Sequence, residues 1–185
     1  ADFPNGERMA WLPPLVADPL NGERAYFGAT KLYRYERNGT ETQWNAFPVT
    51  DSLVTHDDEY ISAIAFSPID PALGWLITNY GTLFKSEDNA VTWTKVTLPQ
   101  IGGHYFYGHA LLPSKTDRDT ITIGGSGYSN PAVVRSTDGG LNWSNWSQGL
   151  PATLVYCLGE PNDGSGWVFA GTETAAYMRA PDDVQ

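Results

Sequence analysis

The sequence predicts an all-β fold of about four repeated units, each made of short antiparallel strands. Four prolines, Pro19, Pro68, Pro113 and Pro161, each follow a short apolar stretch and lie 49, 45 and 48 residues apart. No stretch keeps an apolar period of about 3.6 residues, so almost no helix is expected. A repeat of about 45 residues, built from short strands and turn residues, is typical of a four-stranded β-propeller blade.

Strands A to D recur in the same order in the units, as β-branched and aromatic runs separated by turn residues. Strand A is predicted at about 12–17, 60–66, 105–111 and 154–158. Strand B is predicted at 24–28, 75–78, 120–124 and 167–170. Strand C is predicted at 31–34, 82–85, 132–135 and 175–179, each time ending in a lysine or arginine. Strand D is predicted at 43–47, 92–97 and 142–147, and the fourth unit lacks one.

The length of 185 residues fits a single domain, 1–185, whose core needs no disulfide. Its blades are expected at about 12–47, 60–97, 105–147 and 154–179. The single cysteine, Cys157, excludes an intrachain disulfide and a thiolate metal cluster. There are 21 acidic and 11 basic residues, and this net charge of -10 argues against nucleic acid or an anionic membrane surface as a partner.

The turn between strands C and D carries a recurring motif. It reads Ser-Thr-Asp-Gly-Gly-Leu-Asn-Trp over 136–143 and Ser-Glu-Asp-Asn-Ala-Val-Thr-Trp over 86–93. In such a turn the Asp carboxylate accepts backbone amides, glycine supplies a positive φ, and the Trp packs beneath the turn. We therefore expect strain or an altered turn at Ala90, which stands in the glycine position. The residues with a predicted structural role are Ser86, Asp88, Trp93, Ser136, Asp138, Gly140 and Trp143.

These two turns resemble the Asp-box, or bacterial neuraminidase (BNR), repeat. Over residues 14–180 the chain looks like a short or partial Asp-box β-propeller. That superfamily includes sialidases, xyloglucan-cleaving glycosidases, the sortilin ectodomain and photosystem II assembly factors. The resemblance implies a secreted or periplasmic location. The Asp-box lies at the periphery and is not catalytic in these families, so the resemblance predicts a fold rather than an activity.

Antiparallel strands in succession place the D–A and B–C connections on one face of the predicted propeller, opposite the Asp-box turns. We call this face the rim face; its loops are 48–59, 98–104, 148–153, 29–30, 79–81, 125–131 and 171–174. Carboxylates, histidines and aromatic rings on one rim suit a glycan or a peptide. The candidate binding residues are His56, Asp57, Asp58, Glu59, Asn79, Tyr80, His104, Tyr128, Asn130 and Glu173. The alternative for each is a solvated loop residue.

No metal or other cofactor is expected. Residues 56–59 (His-Asp-Asp-Glu) carry ligands that suit Ca²⁺, but neighbours on an extended segment point in alternate directions. His104 and His109 are five residues apart, which places them on opposite faces of a strand. His109 and Cys157 each stand four residues before a repeat proline, which predicts that both are buried and that Cys157 is unreactive.

Two functions remain open, a binding or scaffold module and a glycoside hydrolase. A sialidase requires three converging arginines, but the strand C cations have a structural explanation, and Arg24 and Arg118 precede strand B on the opposite face. A glycosidase requires two facing carboxylates, which Glu173 and a carboxylate among 57–59 could supply. A binding module requires only the rim face, so a non-catalytic module that binds a glycan, a protein or a peptide is preferred.

Ring closure decides what partners the chain needs, because a closed propeller leaves no long free edge. Four blades could close on themselves with residues 1–10 lending the last strand D, two chains could pair, or the chain is a piece of a longer protein. We predict an open or edge-paired assembly, a homo-oligomer through the open blade edges. Neither a signal peptide nor membrane insertion is expected, since no apolar run approaches about 20 residues.

Overall fold

The computed structural model describes residues 6–37, 39–40, 42–99, 106–128 and 131–181. These residues form four antiparallel sheets that follow one another along the chain, and none of them is helical. The predicted all-β fold of about four blades is therefore confirmed. We number the sheets blades 1 to 4.

The strand bounds follow the repeat. Blade 1 contains β1 (Leu15–Ala17), β2 (Arg24–Gly28), β3 (Leu32–Arg37) and β4 (Trp44–Pro48). Blade 2 contains β5 (Ile61–Phe66), β6 (Gly74–Thr78), β7 (Leu83–Ser86) and β8 (Thr94–Val96). Blade 3 contains β9 (Gly108–Pro113), β10 (Ile121–Gly125), β11 (Val133–Ser136) and β12 (Ser144–Asn145). Blade 4 contains β13 (Val155–Gly159), β14 (Val168–Thr172) and β15 (Ala176–Arg179).

Each strand pairs with the strand next to it in the chain, so every blade is an up-and-down meander. Blade 4 has three strands among the described residues. The first strand of each blade is its inner strand. Inner strands of neighbouring blades contact one another, β1 with β5, β5 with β9 and β9 with β13, and no contact of that extent joins β1 to β13 in the described parts of the chain. The four blades therefore form an open arc.

Apolar side chains fill the spaces between blades. Tyr26, Leu32, Ile61, Ile64, Leu76 and Phe84 lie between blades 1 and 2. Ala63, Leu73, Trp75, Ile77, Leu83, Ile121, Ile123 and Val134 lie between blades 2 and 3. Ala132, Val133, Val155 and Ala170 lie between blades 3 and 4. Burying one large apolar side chain of this kind is worth about 1.5–3 kcal/mol, so blade-to-blade packing is a main source of stability.

Close approach of β10 to the inner strand of blade 4 explains a glycine in blade 3. A Cβ on Gly124 would lie 2.6 Å from Cγ1 of Val155, which is nearer than real Cβ contacts come. Only glycine lets β10 approach β13 at this point, so the sequence at position 124 fixes how blade 4 packs on blade 3.

The two ends of the arc are less covered than its middle. On blade 4, Phe169 and Met178 are neighbours in register and are 44% and 66% exposed. On blade 1, Leu15 of the inner strand is 63% exposed. Cys157 of β13 is also exposed, so the prediction that it is buried is wrong. The prediction rested on the register of Cys157 before a repeat proline, and β13 belongs to the last blade, which has no described blade after it.

The third strand of every blade carries the predicted cation, and these cations lie over aromatic rings. Lys85 Nζ is 5.4 Å from the centroid of the Trp75 ring, and the Arg34 guanidinium is 5.9 Å from that of Phe47. The Trp146 ring contacts two guanidinium groups, that of Arg135 at 4.8 Å and that of Arg179 at 4.5 Å. These contacts supply the structural explanation expected of the strand C cations.

The turn between β11 and β12 has the predicted hydrogen bonds. Asp138 Oδ1 accepts the amides of Leu141 at 3.1 Å and Asn142 at 2.8 Å. Ser136 Oγ donates to Asp138 Oδ1 at 2.8 Å and accepts the amide of Gly140 at 2.9 Å. Hydrogen bonds from the backbone and side chain of Asn142 lower the pKa of Asp138 to about 2.

The turn between β7 and β8 keeps the same bonds with different residues. Asp88 Oδ1 accepts the amides of Val91 and Thr92, at 3.1 and 2.9 Å. Asn89 and Ala90 have φ values of +59° and +62°, a left-handed conformation that is costly for residues other than glycine. The expected strain at Ala90 is therefore present, and the turn type is retained.

Candidate functional site

The strand order of the four blades determines which loops lie on the rim face. The loops that enter β5, β9 and β13 and the hairpins β2–β3, β6–β7, β10–β11 and β14–β15 lie on one side of the arc. The turns that contain Asp88 and Asp138 lie on the other, which we call the turn face. Side chains before and along the inner strands thus line the concave side of the arc at the rim face.

In blade 2, three of the predicted residues form one exposed cluster. The rings of His56 and Tyr80 are stacked, with centroids 4.5 Å apart and planes 11° apart. The Tyr80 hydroxyl donates to Asp58 Oδ1 at 2.6 Å, and this bond lowers the pKa of the Asp58 carboxyl. Asp57 beside them is exposed.

Glu59 was predicted to bind a ligand, but its side chain is fully buried. Its Oε1 accepts the hydroxyls of Thr78 at 2.6 Å and Thr82 at 3.0 Å, and its Oε2 accepts the amides of Thr55 at 2.7 Å and His56 at 3.3 Å. Burial alone would raise the pKa of Glu59, but these donors outweigh it and lower the pKa to about 2. Glu59 therefore fixes the loop that presents His56.

Asn79 has a similar supporting position. It is buried, and its Oδ1 accepts the amide of Tyr60 at 2.8 Å while its Nδ2 donates to the carbonyl of Asp58 at 3.1 Å. These bonds tie the hairpin β6–β7 to the entry of β5. Asn79 therefore positions the rim instead of facing a ligand.

A line of aromatic side chains crosses from blade 2 to blade 4, and we call Tyr60, Tyr107, His109 and Tyr156 the aromatic row. The hydroxyls of Tyr60 and Tyr107 share a hydrogen bond of 2.9 Å. The ring centroids of Tyr107 and His109 are 4.5 Å apart, and those of His109 and Tyr156 are 6.0 Å apart. The row thus joins three inner strands into one aromatic surface.

His109 was predicted to be buried, whereas it is half-buried between Tyr107 and Tyr156. Its partial burial lowers the pKa of the imidazole. The residues that sequence reasoning missed are Tyr60, Tyr107 and Tyr156. Their signal was an aromatic residue within two positions of the start of an inner strand in blades 2, 3 and 4.

At the blade 4 end of the row lie two predicted residues, Tyr128 and Glu173. The Tyr128 hydroxyl donates to Glu173 Oε1, and this oxygen also accepts the amide of Leu154 at 3.2 Å. The hydrogen bond to Glu173 raises the pKa of Tyr128 and, from the other side, lowers the pKa of Glu173. His104 and Asn130, also predicted, lie outside the described residues.

The described residues contain no group of three or more His, Cys, Asp or Glu side chains arranged to hold a metal ion. Within the same residues, no helix has the length and apolar character required to cross a membrane.

Comparison with known proteins finds similarity of fold but no match of sequence. No protein-family model matches the sequence, and no curated protein matches it. Among solved structures it is similar to a GH74 enzyme of Niastella koreensis, with 18% identity and a TM-score of 0.65 over 91% of this chain and 28% of that one. It is also similar to YCF48 bound to D1 peptide, with 15% identity and a TM-score of 0.60 over 92% of this chain and 51% of that one.

A third similar structure is the computationally designed Ika4 protein, with 14% identity and a TM-score of 0.60 over 95% of this chain and 94% of that one. The chain spans about a quarter and a half of the lengths of the GH74 enzyme and YCF48, respectively. At these identities the likeness establishes a β-propeller fold.

Proposed function

We propose that this chain is a non-catalytic binding module that holds a glycan or a peptide along its aromatic row. The observation that carries the proposal is the continuity of the row across three blades, from the Tyr60–Tyr107 hydrogen bond to the His109–Tyr156 contact. His109 and Tyr156 lie on paired strands, and Tyr60 and Tyr107 directly precede such strands and are hydrogen-bonded to each other. A ligand that stacks on these rings therefore orders few protein groups and loses little affinity to entropy.

The concave side of the arc presents exposed tyrosine rings to a ligand. Tyr156 is 52% exposed and Tyr128 is 60% exposed, so large apolar surfaces with polar tips face outward there. Such groups contact both the apolar and the hydroxyl or amide parts of a sugar or a peptide backbone. The similarity to YCF48, whose structure contains D1 peptide, supports a peptide ligand by analogy of fold.

The test is binding of an oligosaccharide array and of randomised peptide pools to the immobilised chain. We expect saturable binding that falls about tenfold or more in Tyr156→Ala, because loss of one stacking ring costs about 1–3 kcal/mol. Trp167→Ala is the matched control, since Trp167 is a partly exposed aromatic residue at the turn face of the same blade. Binding that is insensitive to Tyr156→Ala, or equally sensitive to Trp167→Ala, contradicts the proposal.

The alternative function is a glycoside hydrolase, supported by the likeness to a GH74 enzyme. Glu59 does not fit a catalytic role, since its carboxylate is buried and fully hydrogen-bonded. The pKa values of Asp58 and Glu173 are both lowered, by Tyr80 and Tyr128 respectively, so neither keeps the proton that a general acid requires. Turnover of aryl glycosides that is lost in Glu173→Gln would favour this alternative over the binding module.

The superfamily of this chain and its cellular location are also proposals. We propose that the turns at 86–93 and 136–143 are Asp-box repeats of the sialidase-like superfamily, because serine and aspartate make the same bonds in both. A secreted or periplasmic location follows from that resemblance.

We further propose that two copies of the chain pair through the ends of the arc. Each blade already packs its face on the next, and the exposed Phe169 and Met178 of blade 4 continue that series of interfaces. At the other end, Trp11, Leu12 and Leu15 are exposed beside blade 1. Joining blade 4 of each copy to blade 1 of the other forms two identical contacts related by a two-fold axis and leaves no free end.

A further inference from the structure

The blade 4 end of the aromatic row has a chemistry that the rest of the row lacks. Tyr156 belongs to the row, and it stands two residues after Leu154, whose amide donates to the Glu173 carboxylate at 3.2 Å. Tyr128 in turn donates to the carboxylate of Glu173. Two exposed phenol rings and one carboxylate therefore meet at the rim between blades 3 and 4. We call Tyr156, Tyr128 and Glu173 the acidic end of the row.

Hydrogen bonds hold the Glu173 side chain in place through one of its two carboxylate oxygens. Tyr128, Thr153 and the amide of Leu154 all donate to Oε1, with the Thr153 and Leu154 bonds at 3.4 and 3.2 Å. This leaves Oε2 without a donor among the described residues. Because the hydrogen bond from Tyr128 lowers the pKa of Glu173, the carboxylate carries its charge at neutral pH.

No cation of the rim loops competes for that charge. Within their predicted bounds the rim loops contain five carboxylates, those of Asp51, Asp57, Asp58, Glu59 and Glu173, and no lysine or arginine. Lys31, in the observed β2–β3 hairpin of blade 1, is paired with Glu7 at 3.6 Å. The strand C cations lie instead over Trp75, Phe47 and Trp146. The rim face is therefore negatively charged, and charge complementarity favours a cationic ligand over an anionic one.

We propose that the acidic end receives a lysine or arginine side chain of an extended peptide that lies along the aromatic row. The cationic head group would donate to Oε2 of Glu173 and lie against the phenol rings of Tyr128 and Tyr156. Tyrosine rings attract cations through their electron-rich faces, and a hydrogen bond between two charged groups is stronger than one between neutral groups. This inference rests on the proposed function and selects a basic peptide among the ligands that the row admits.

The experiment compares pools of short randomised peptides that differ at one fixed central residue, arginine, lysine, glutamine or glutamate. Each pool is passed over the immobilised 185-residue chain at low salt, and the retained fraction is measured by mass spectrometry. A neutral β-glucan oligosaccharide is measured alongside. We expect the arginine and lysine pools to be retained about tenfold more than the glutamine pool, and the glutamate pool least.

Two variants with the same charge change locate the effect. Glu173→Gln keeps an acceptor for the Leu154 amide and should abolish the preference for arginine over glutamine. Asp163→Asn is the matched control, because Asp163 is exposed in the β13–β14 turn of the same blade, at the turn face. It should leave the preference unchanged. Circular dichroism melts establish that both variants are folded.

The outcomes separate the two proposals. Equal retention of the arginine and glutamine pools, a preference that survives Glu173→Gln, or binding of the glucan alone overturns the basic-peptide inference. In each of these cases the proposed function stands if binding still depends on Tyr156. If neither the peptides nor the glucan bind, or if binding does not depend on Tyr156, the proposed function itself fails.

Discussion

At the scale of single residues, the two turns with an aspartate show how one position tolerates different residues. Ala90 and Gly140 occupy the same place, and both have a positive φ, +62° and +92°. Ala90 is buried in the core between blades 1 and 2, so its methyl group is accommodated there. A Cβ on Gly140 would instead meet Trp75 at 3.1 Å and Val96 at 3.2 Å. The neighbouring blade therefore decides which residue each turn accepts.

This difference predicts the effect of Gly140→Ala. We expect it to lower the free energy of unfolding by about 2 kcal/mol, because the left-handed backbone costs about 1–2 kcal/mol and Trp75 must move. Gly149→Ala is the control, since Gly149 has a φ of +86° but nothing within 4 Å of its Cβ position. It should cost only the backbone strain. Urea unfolding of both variants measures the difference, and equal losses would contradict the role of Trp75.

At the scale of elements, the loop that carries His56 is held by one buried carboxylate. The donors to Glu59 come from four residues, Thr55 and His56 of the loop itself and Thr78 and Thr82 at the hairpin β6–β7. The stacked pair of His56 and Tyr80 is therefore positioned by an ionised side chain that no ligand reaches.

This arrangement predicts a pH dependence of stability. The pKa of Glu59 is about 2 in the folded chain, below the value of about 4.3 for an unfolded glutamate. Ionised Glu59 therefore stabilises the folded chain by up to about 3 kcal/mol at a pH above the pKa of unfolded glutamate. This stabilisation is lost as the pH falls from about 5 to 2. We expect Glu59→Gln to destabilise the chain at pH 7 and to flatten this dependence in urea unfolding. Asp57→Asn, at an exposed neighbour, should change neither.

The strands could be predicted from the sequence more accurately than the candidate binding site. The β-branched and aromatic runs and the cation that ends strand C placed strands such as β2 and β7 within two residues of their observed bounds. The aromatic row could not be derived in this way. Tyr60 and Tyr107 are 47 residues apart in the chain, and the packing of β5 on β9 brings them together. Periodicity within one strand does not report which side chains of another blade it will meet.

At the scale of the whole molecule, the exposed apolar ends of the arc predict a dimer. We expect light scattering to give the mass of two chains, and Phe169→Lys to reduce it to one, because a charge is costly to bury in an apolar interface. Leu141→Lys is the control, since Leu141 is 83% exposed in a turn-face loop away from both ends. A single-chain mass for the unaltered protein would refute the pairing. A single-chain mass for Leu141→Lys would refute the assignment to blade 4.

The up-and-down order of the strands has a consequence for how the chain folds. Because every described strand pairs with its neighbour in the chain, each sheet closes only short loops and pays little entropy before its hydrogen bonds form. A blade can therefore assemble soon after its own residues leave the ribosome, and each new inner strand docks on the one before it. Folding then proceeds as in a repeat protein, by propagation from blade to blade. The two middle blades, 2 and 3, each pack against a neighbouring blade on both sides, so they are expected to unfold last.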